Sequence, residues 1–108
     1  GRVERCAAAE GPGPALGLIP EFVYTATSHQ LAAGDTLLLL TDGLFEVEGI
    51  DGEEFGQARV RDTAASRLAQ PTPQLLDSLL TEVKAWRPAG APESLPDDVC
   101  LVAVDFTP

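Results

Sequence analysis

The chain has 108 residues, enough for one compact domain and too few for two. Hydrophobic residues make up 44% and charged residues 22%, a composition of soluble globular proteins that excludes a disordered chain. Seventeen acids against seven bases give a formal net charge of -10, which repels phosphate backbones and anionic lipid and so argues against nucleic-acid or membrane-surface binding.

Residues 2–7 are predicted as a short strand. Residues 10–14, Glu-Gly-Pro-Gly-Pro, read as a turn that neither a helix nor a central strand tolerates. Residues 15–20 form a short apolar piece closed by Pro20. The first part of residues 22–31 alternates, with Phe22, Tyr24 and Ala26 on one side, which predicts a strand with one buried face. Ala33-Gly34-Asp35 is a tight turn, and Thr36-Leu37-Leu38-Leu39-Leu40-Thr41 follows as a strand apolar on both faces. Asp42-Gly43 ends that strand. Residues 44–47 are mostly apolar, and residues 49–56 form an acidic loop containing glycine.

Residues 57–69 are predicted as a helix, since Val60, Ala64 and Leu68 recur every four residues and Pro71 lies beyond them. A second helix begins at Thr72-Pro73, with Thr72 as N-cap and Pro73 at the first helical position. Its apolar stripe is Leu75, Leu76, Leu79, Leu80, Val83 and Trp86. Residues 88–96, carrying Pro88, Gly90, Pro92 and Pro96, form a loop, and residues 99–104 close the chain as a strand apolar on both faces. Strands, two helices in succession and a final strand make an α+β plan, not a strict β-α-β alternation. Each doubly apolar strand needs a layer above and below, and two helices cover one side of a sheet. Another segment or subunit is therefore expected to complete the core.

Cys6 and Cys100 stand far apart, in no zinc or Cys-x-x-Cys spacing, and Cys100 reads as a small core residue. No signal peptide occurs, and no apolar stretch approaches the ~20 residues that span a bilayer. A cytoplasmic location is the default expectation. Ser28, Ser66, Ser78 and Ser94 lack a Gly-x-Ser-x-Gly setting, and His29, the single histidine, reads as a solvated strand-end residue. No phosphate loop occurs, and the loop around Asp51 lacks the order of a calcium loop.

The informative carboxylates are Asp42, at the end of one apolar strand, and Asp97 and Asp98, just before the other. Aspartates at strand ends are held firmly while their oxygens reach solvent, an arrangement that suits hard divalent cations. A pair of such ions activates water and stabilises in-line attack on phosphorus. The plainer alternative stays open: Asp-Gly after a strand and Pro-Asp-Asp before one are ordinary turn chemistry.

Gly34-Asp35-x-Leu37-Leu38-Leu39-Leu40-Thr41-Asp42-Gly43-Leu44-x-Glu46 resembles the "GD-x-LLLYTDG-x-x-E" segment of the metal-dependent (PPM-type) serine/threonine protein phosphatases, in their bacterial SpoIIE/RsbU-like branch. Three further matches keep the family's order: Pro14-Ala15-Leu16-Gly17-Leu18 resembles its "PLG" segment, with Ala15 in place of proline; Asp51-Gly52-Glu53-Glu54-Phe55-Gly56 resembles "DGE-x-FG"; and Pro96-Asp97-Asp98-Val99-Cys100-Leu101-Val102 resembles "DD-(V/M)-T-LLV", with Cys100 in place of a hydroxyl residue. The resemblance implies part of an α/β/β/α sandwich, two antiparallel sheets with an outer helical hairpin. It implies hydrolysis of phosphoserine or phosphothreonine by a metal-activated water, with two Mn2+ or Mg2+ ions in the intact domain. Asp42 and Asp97 would match metal-ligand aspartates. Asp98, where many relatives carry asparagine, would help position the site. Gly43 would keep the approach uncrowded.

The family's "GGD-x-x-D" and "AGH-x-PP" segments do not occur in residues 1–108. The expectation is therefore a C-terminal portion of a SpoIIE-like phosphatase domain, spanning the whole chain. By itself it should have little activity and weak metal affinity, and it could dimerise through exposed sheet surface. The implied substrate is a phosphorylated regulatory protein of sigma-factor partner switching. Two rivals stand beside this: a non-catalytic, phosphatase-like protein-interaction module, and an unrelated acidic α+β domain.

Overall fold

The leucine run and the closing apolar run pair with each other. A computed structural model describes residues 1–6 and 13–108 of the chain. Strand β1 (Thr36–Leu40) lies antiparallel to β2 (Leu101–Asp105), with Thr36 opposite Asp105 and Leu40 opposite Leu101. The turn before β1 forms as expected. Gly34 takes φ 92°, the Asp35 N–H donates to the Ala32 carbonyl (3.1 Å), and the Asp35 carboxylate accepts from the Ala32 N–H (2.8 Å).

Helix α3 (Thr72–Trp86) packs on the sheet through β2, and α1 (Asp42–Phe45) and α2 (Gly56–Ser66) pack against α3 and each other. Leu44, Val47, Phe55, Val60, Leu79 and Val83 form the buried cluster, and Leu38, Leu40, Val99 and Leu101 pack against it. The two-residue period of a strand places Leu38 and Leu40 on that face and turns Leu39, Val102 and Val104 away. Those three are 52%, 44% and 40% exposed, so the expected second covering layer is not found among the described residues. The architecture is mixed α+β, with a two-stranded sheet and helices on one side. No helix among the described residues is long and apolar enough to cross a membrane.

Several boundaries differ from expectation. Residues 22–31 form no strand, because alternation alone supplies no ladder partner. Phe22 and Tyr24 instead meet edge-on at 4.8 Å, and the Tyr24 hydroxyl reaches the carbonyls of Pro14 (3.1 Å) and Ala15 (3.2 Å). Residues 2–6 are likewise not a strand; residue 7 and residues 10–12 of the expected turn lie outside the described residues. Asp42-Gly43, read as a terminating turn, opens the short helix α1. Helix α2 stops at Ser66, where the Ser66 hydroxyl donates to Thr63 O (2.8 Å) and Arg67 N–H bonds Ala64 O (3.1 Å), a tightened last turn.

Helix α3 keeps its stripe, with Leu75, Leu79 and Val83 buried, but Thr72 is not its N-cap. Pro71 occupies that position without a side-chain cap bond. The Thr72 hydroxyl donates instead to Asp105 Oδ1 (2.7 Å), which also accepts from the Thr36 hydroxyl (2.7 Å). One carboxylate thus joins both strands and the helix, and its two hydrogen bonds hold Asp105 below the usual aspartate range.

Candidate metal centre at the ends of the two strands

Antiparallel pairing decides where the aspartates fall. Just beyond the ladder, Thr41 N–H donates to Cys100 O (3.1 Å) and Cys100 N–H donates to Thr41 Oγ1 (2.9 Å). The segments that continue from the two strands are therefore neighbours in space, although 55 positions separate Asp42 from Asp97. Asp42 begins α1, and buried Gly43 packs directly beneath the Asp98 carbonyl. A Cβ placed on Gly43 would lie 3.6 Å from Asp97 Cβ and inside contact distance of Asp98 O. The side chains of Asp42, Asp97 and Asp98 are exposed, so the carboxylates face solvent at one sheet end. The Asp97 carboxylate accepts from the Asp98 N–H (2.8 Å), which fixes one of its oxygens locally.

Two further acids join them. Glu46 ends α1 four positions after Asp42, on the same helix face. Glu54 arrives through an isolated antiparallel bridge between Glu48 and Glu54. The exposed Glu46 carboxyl is raised above its ordinary value, chiefly by the charge of Asp42, then by slight desolvation, then by the charges of Glu54 and Asp97. Glu46 is legible as an i, i+4 partner of Asp42; Glu54 has no local sequence signal, because its position depends on a bridge closed by the fold.

The sign of this effect gives a prediction. An acid whose folded pKa is raised by neighbouring negative charge destabilises the fold when ionised, and ceases to do so once protonated. Glu46→Gln is expected to raise the melting temperature at neutral pH in metal-free, low-salt buffer. The gain should shrink as pH falls through the raised Glu46 pKa and vanish below the ordinary glutamate value. Melting curves from pH 3 to 8 test this; a pH-independent gain would place the effect elsewhere.

The donor chemistry fits a hard divalent ion: carboxylate oxygens, mutual repulsion that a cation relieves, and open access for water. The donor count does not fill such an ion's shell, since no three His, Cys, Asp or Glu among the described residues are arranged to hold a metal ion. Other candidates recede. The Ser66 hydroxyl bonds a backbone carbonyl and the Ser78 hydroxyl bonds Gln70 Oε1 (3.0 Å), so neither stands beside a base. His29 and Ser28 are exposed in the segment that forms no strand. Cys100, expected in the core, is exposed, as is Cys6.

These residues sit in a chain that matches the family described as Stage II sporulation protein E (SpoIIE) over residues 2–107. The chain belongs to that family, the bacterial branch of the PPM-type phosphatases, which comprises metal-dependent serine/threonine phosphatases. It is similar to Protein IcfG of Synechocystis sp. (strain ATCC 27184 / PCC 6803 / Kazusa), 30% identical over 71 residues, covering 66% of this chain and 11% of that protein. The chain thus spans about a tenth of that relative's length. No solved structure matches it.

Proposed function

We propose that the chain is the C-terminal portion of a metal-dependent phosphoserine/phosphothreonine phosphatase domain, whose intact form completes an α/β/β/α sandwich and the metal shell. The observation that supports it most is the stacking of Asp42-Gly43 against Asp97-Asp98 at one sheet end, in a chain of the SpoIIE family.

Asp42 and Asp97 would hold the metal, with Asp98 shaping the loop between Asp97 and β2. Bound Mn2+ or Mg2+ ions supply an activated water and neutralise charge at phosphorus. The residues of this chain hold negative oxygens at a fixed, solvent-open place, so the ion and a phosphorylated side chain can meet there. Water adds to phosphorus and the P–O bond to serine or threonine breaks, giving the free hydroxyl and inorganic phosphate. A phosphorylated regulatory protein of a partner-switching pathway is the substrate this reading favours. With two aspartates at the site and no third donor in ligand range among the described residues, these 108 residues alone should bind metal weakly and turn over little.

Replacing a residue that merely supports a metal ligand typically costs 10–100-fold in metal affinity or activity, so loss of a ligand should cost about 100-fold or more. Asp42→Ala in the full-length protein is therefore expected to abolish Mn2+-dependent hydrolysis of p-nitrophenyl phosphate and of a phosphoprotein. An unchanged rate would remove Asp42 from the mechanism. A full-length protein that binds a partner but shows no Mn2+-dependent hydrolysis would instead be a non-catalytic interaction module.

A further inference from the structure

We infer that residues 47–55 form a docking hairpin whose tip residue, Ile50, enters an apolar pocket rimmed by lysine or arginine on a partner protein; this role is independent of the metal-site reading above. The hairpin is short and closed by backbone bonds. Phe55 N–H donates to Val47 O (2.8 Å), Glu48 and Glu54 form an antiparallel bridge, and Gly49 N–H donates to Glu53 O (2.9 Å). Gly52 N–H turns back to Gly49 O (3.0 Å), and Gly52 takes φ 77°. The result is a three-residue loop, Ile50-Asp51-Gly52, ended by a left-handed glycine.

Helix side chains hold this hairpin at its base and along one strand. Val47 and Phe55, at the base, belong to the buried cluster. The Trp86 indole N–H, in the last turn of α3, donates to Glu53 O (2.8 Å). Arg59, in α2, donates to Glu54 O (3.1 Å) and Phe55 O (2.9 Å) and pairs with the Glu53 carboxylate (3.2 Å). A loop already held in one shape has little freedom left to lose on binding.

On this frame Ile50 is 81% exposed. The turn does not need it, since the first central position of such a turn accepts most residues and a polar one would leave no apolar area in water. The open sheet face does not explain it either. Leu39, Val102 and Val104 point away from the buried cluster, whereas the hairpin is rooted in that cluster through Val47 and Phe55. A layer laid over the open sheet face would therefore leave Ile50 in solvent.

The surroundings of Ile50 select the partner. Glu48, Asp51, Glu53 and Glu54 are exposed, and of these only Glu53 has an ion-pair partner among the described residues. Residues 42–58 contain no lysine or arginine. A second copy of this chain, with its net charge of -10, a nucleic acid or an anionic membrane would each set like charge against like. A protein surface with basic residues around an apolar pocket matches both features: the pocket takes the side chain, and the rim speeds encounter and fixes register.

The test is photocrosslinking of the full-length protein in the cells that make it. p-Benzoylphenylalanine replaces Ile50 or, as a control, Gln74, which is exposed in the first turn of α3. A discrete protein adduct is expected from position 50 and not from position 74. The captured protein is then purified and titrated against full-length variants. Ile50→Ala is expected to weaken binding about tenfold or more, the scale for losing a large aliphatic side chain from a buried pocket, with the melting temperature unchanged. Glu48→Gln combined with Asp51→Asn should slow association and flatten its salt dependence while the dissociation rate stays near wild type. The inference is overturned by no adduct from position 50, by an adduct that is a second copy of this chain, or by a captured protein that binds the Ile50→Ala variant within twofold of wild type. It is also overturned if the double variant keeps the wild-type salt dependence, because the acids would then face no basic rim.

Discussion

Leu79→Ala is expected to lower the unfolding free energy by about 2–5 kcal/mol, the range for truncating a large buried aliphatic side chain to alanine. Leu79 is fully buried and belongs to a cluster of six residues, Leu44, Val47, Phe55, Val60, Leu79 and Val83, that ties α1, α2 and α3 together. Such a small cluster has few neighbours able to close a cavity, which favours the upper half of the range. Domains of this size have roughly 5–15 kcal/mol of stability in all, so the variant should lie near the edge of folding at 37 °C. Urea unfolding of the variant against wild type measures the loss directly. Leu79→Met, which conserves volume, should cost less than about 1.5 kcal/mol. A loss below about 1 kcal/mol for Leu79→Ala would mean that α3 does not pack where the structure puts it.

That residue was also among the most legible in the sequence. A fifteen-residue helix gives its apolar face four turns in which to declare itself, and Leu75, Leu79 and Val83 recur at the helical period. The two strands were legible for a related reason, as apolar runs bounded by turn residues. Helix α1 was not, because four residues beginning Asp-Gly carry no period and mimic a turn. Residues 22–31 show the converse: their alternation is real, but a strand exists only if another strand accepts its hydrogen bonds, and that partner is a property of the fold. The candidate site divides in the same way. Asp42 and Asp97 stand out by their strand-end positions and by family resemblance, whereas their adjacency follows from the register of β1 on β2. The contact of Trp86 with Glu53 spans 33 positions between a helix end and a loop, and no local pattern announces it.

Gly43→Ala should cost about 1–3 kcal/mol, the range for forcing an extra methyl into a packed site, and should weaken Mn2+ binding together with stability. Two effects oppose each other. Gly43 lies within α1, where alanine is intrinsically better than glycine by roughly 1 kcal/mol. Against this, the added Cβ would meet the Asp98 backbone carbonyl well inside van der Waals distance. A flexible side chain could swing aside, but a carbonyl oxygen moves only with its peptide, so residues 97–98 must retreat from α1. The steric term therefore wins, and its consequence is local: Asp97 is carried away from Asp42. The need for glycine is one of space and not of backbone conformation, since Gly43 is not among the glycines with left-handed φ. It is also a different need from an open path for substrate, because the atom overhead belongs to the chain itself. The pair of measurements distinguishes this variant from Leu79→Ala, which should lose more stability while leaving the contact between α1 and the Asp97-Asp98 segment in place. A Gly43→Ala protein as stable as wild type, with unchanged Mn2+ affinity, would show that the Asp98 carbonyl does not lie over α1, and would leave Asp42 and Asp97 without the contact that holds them at a common site.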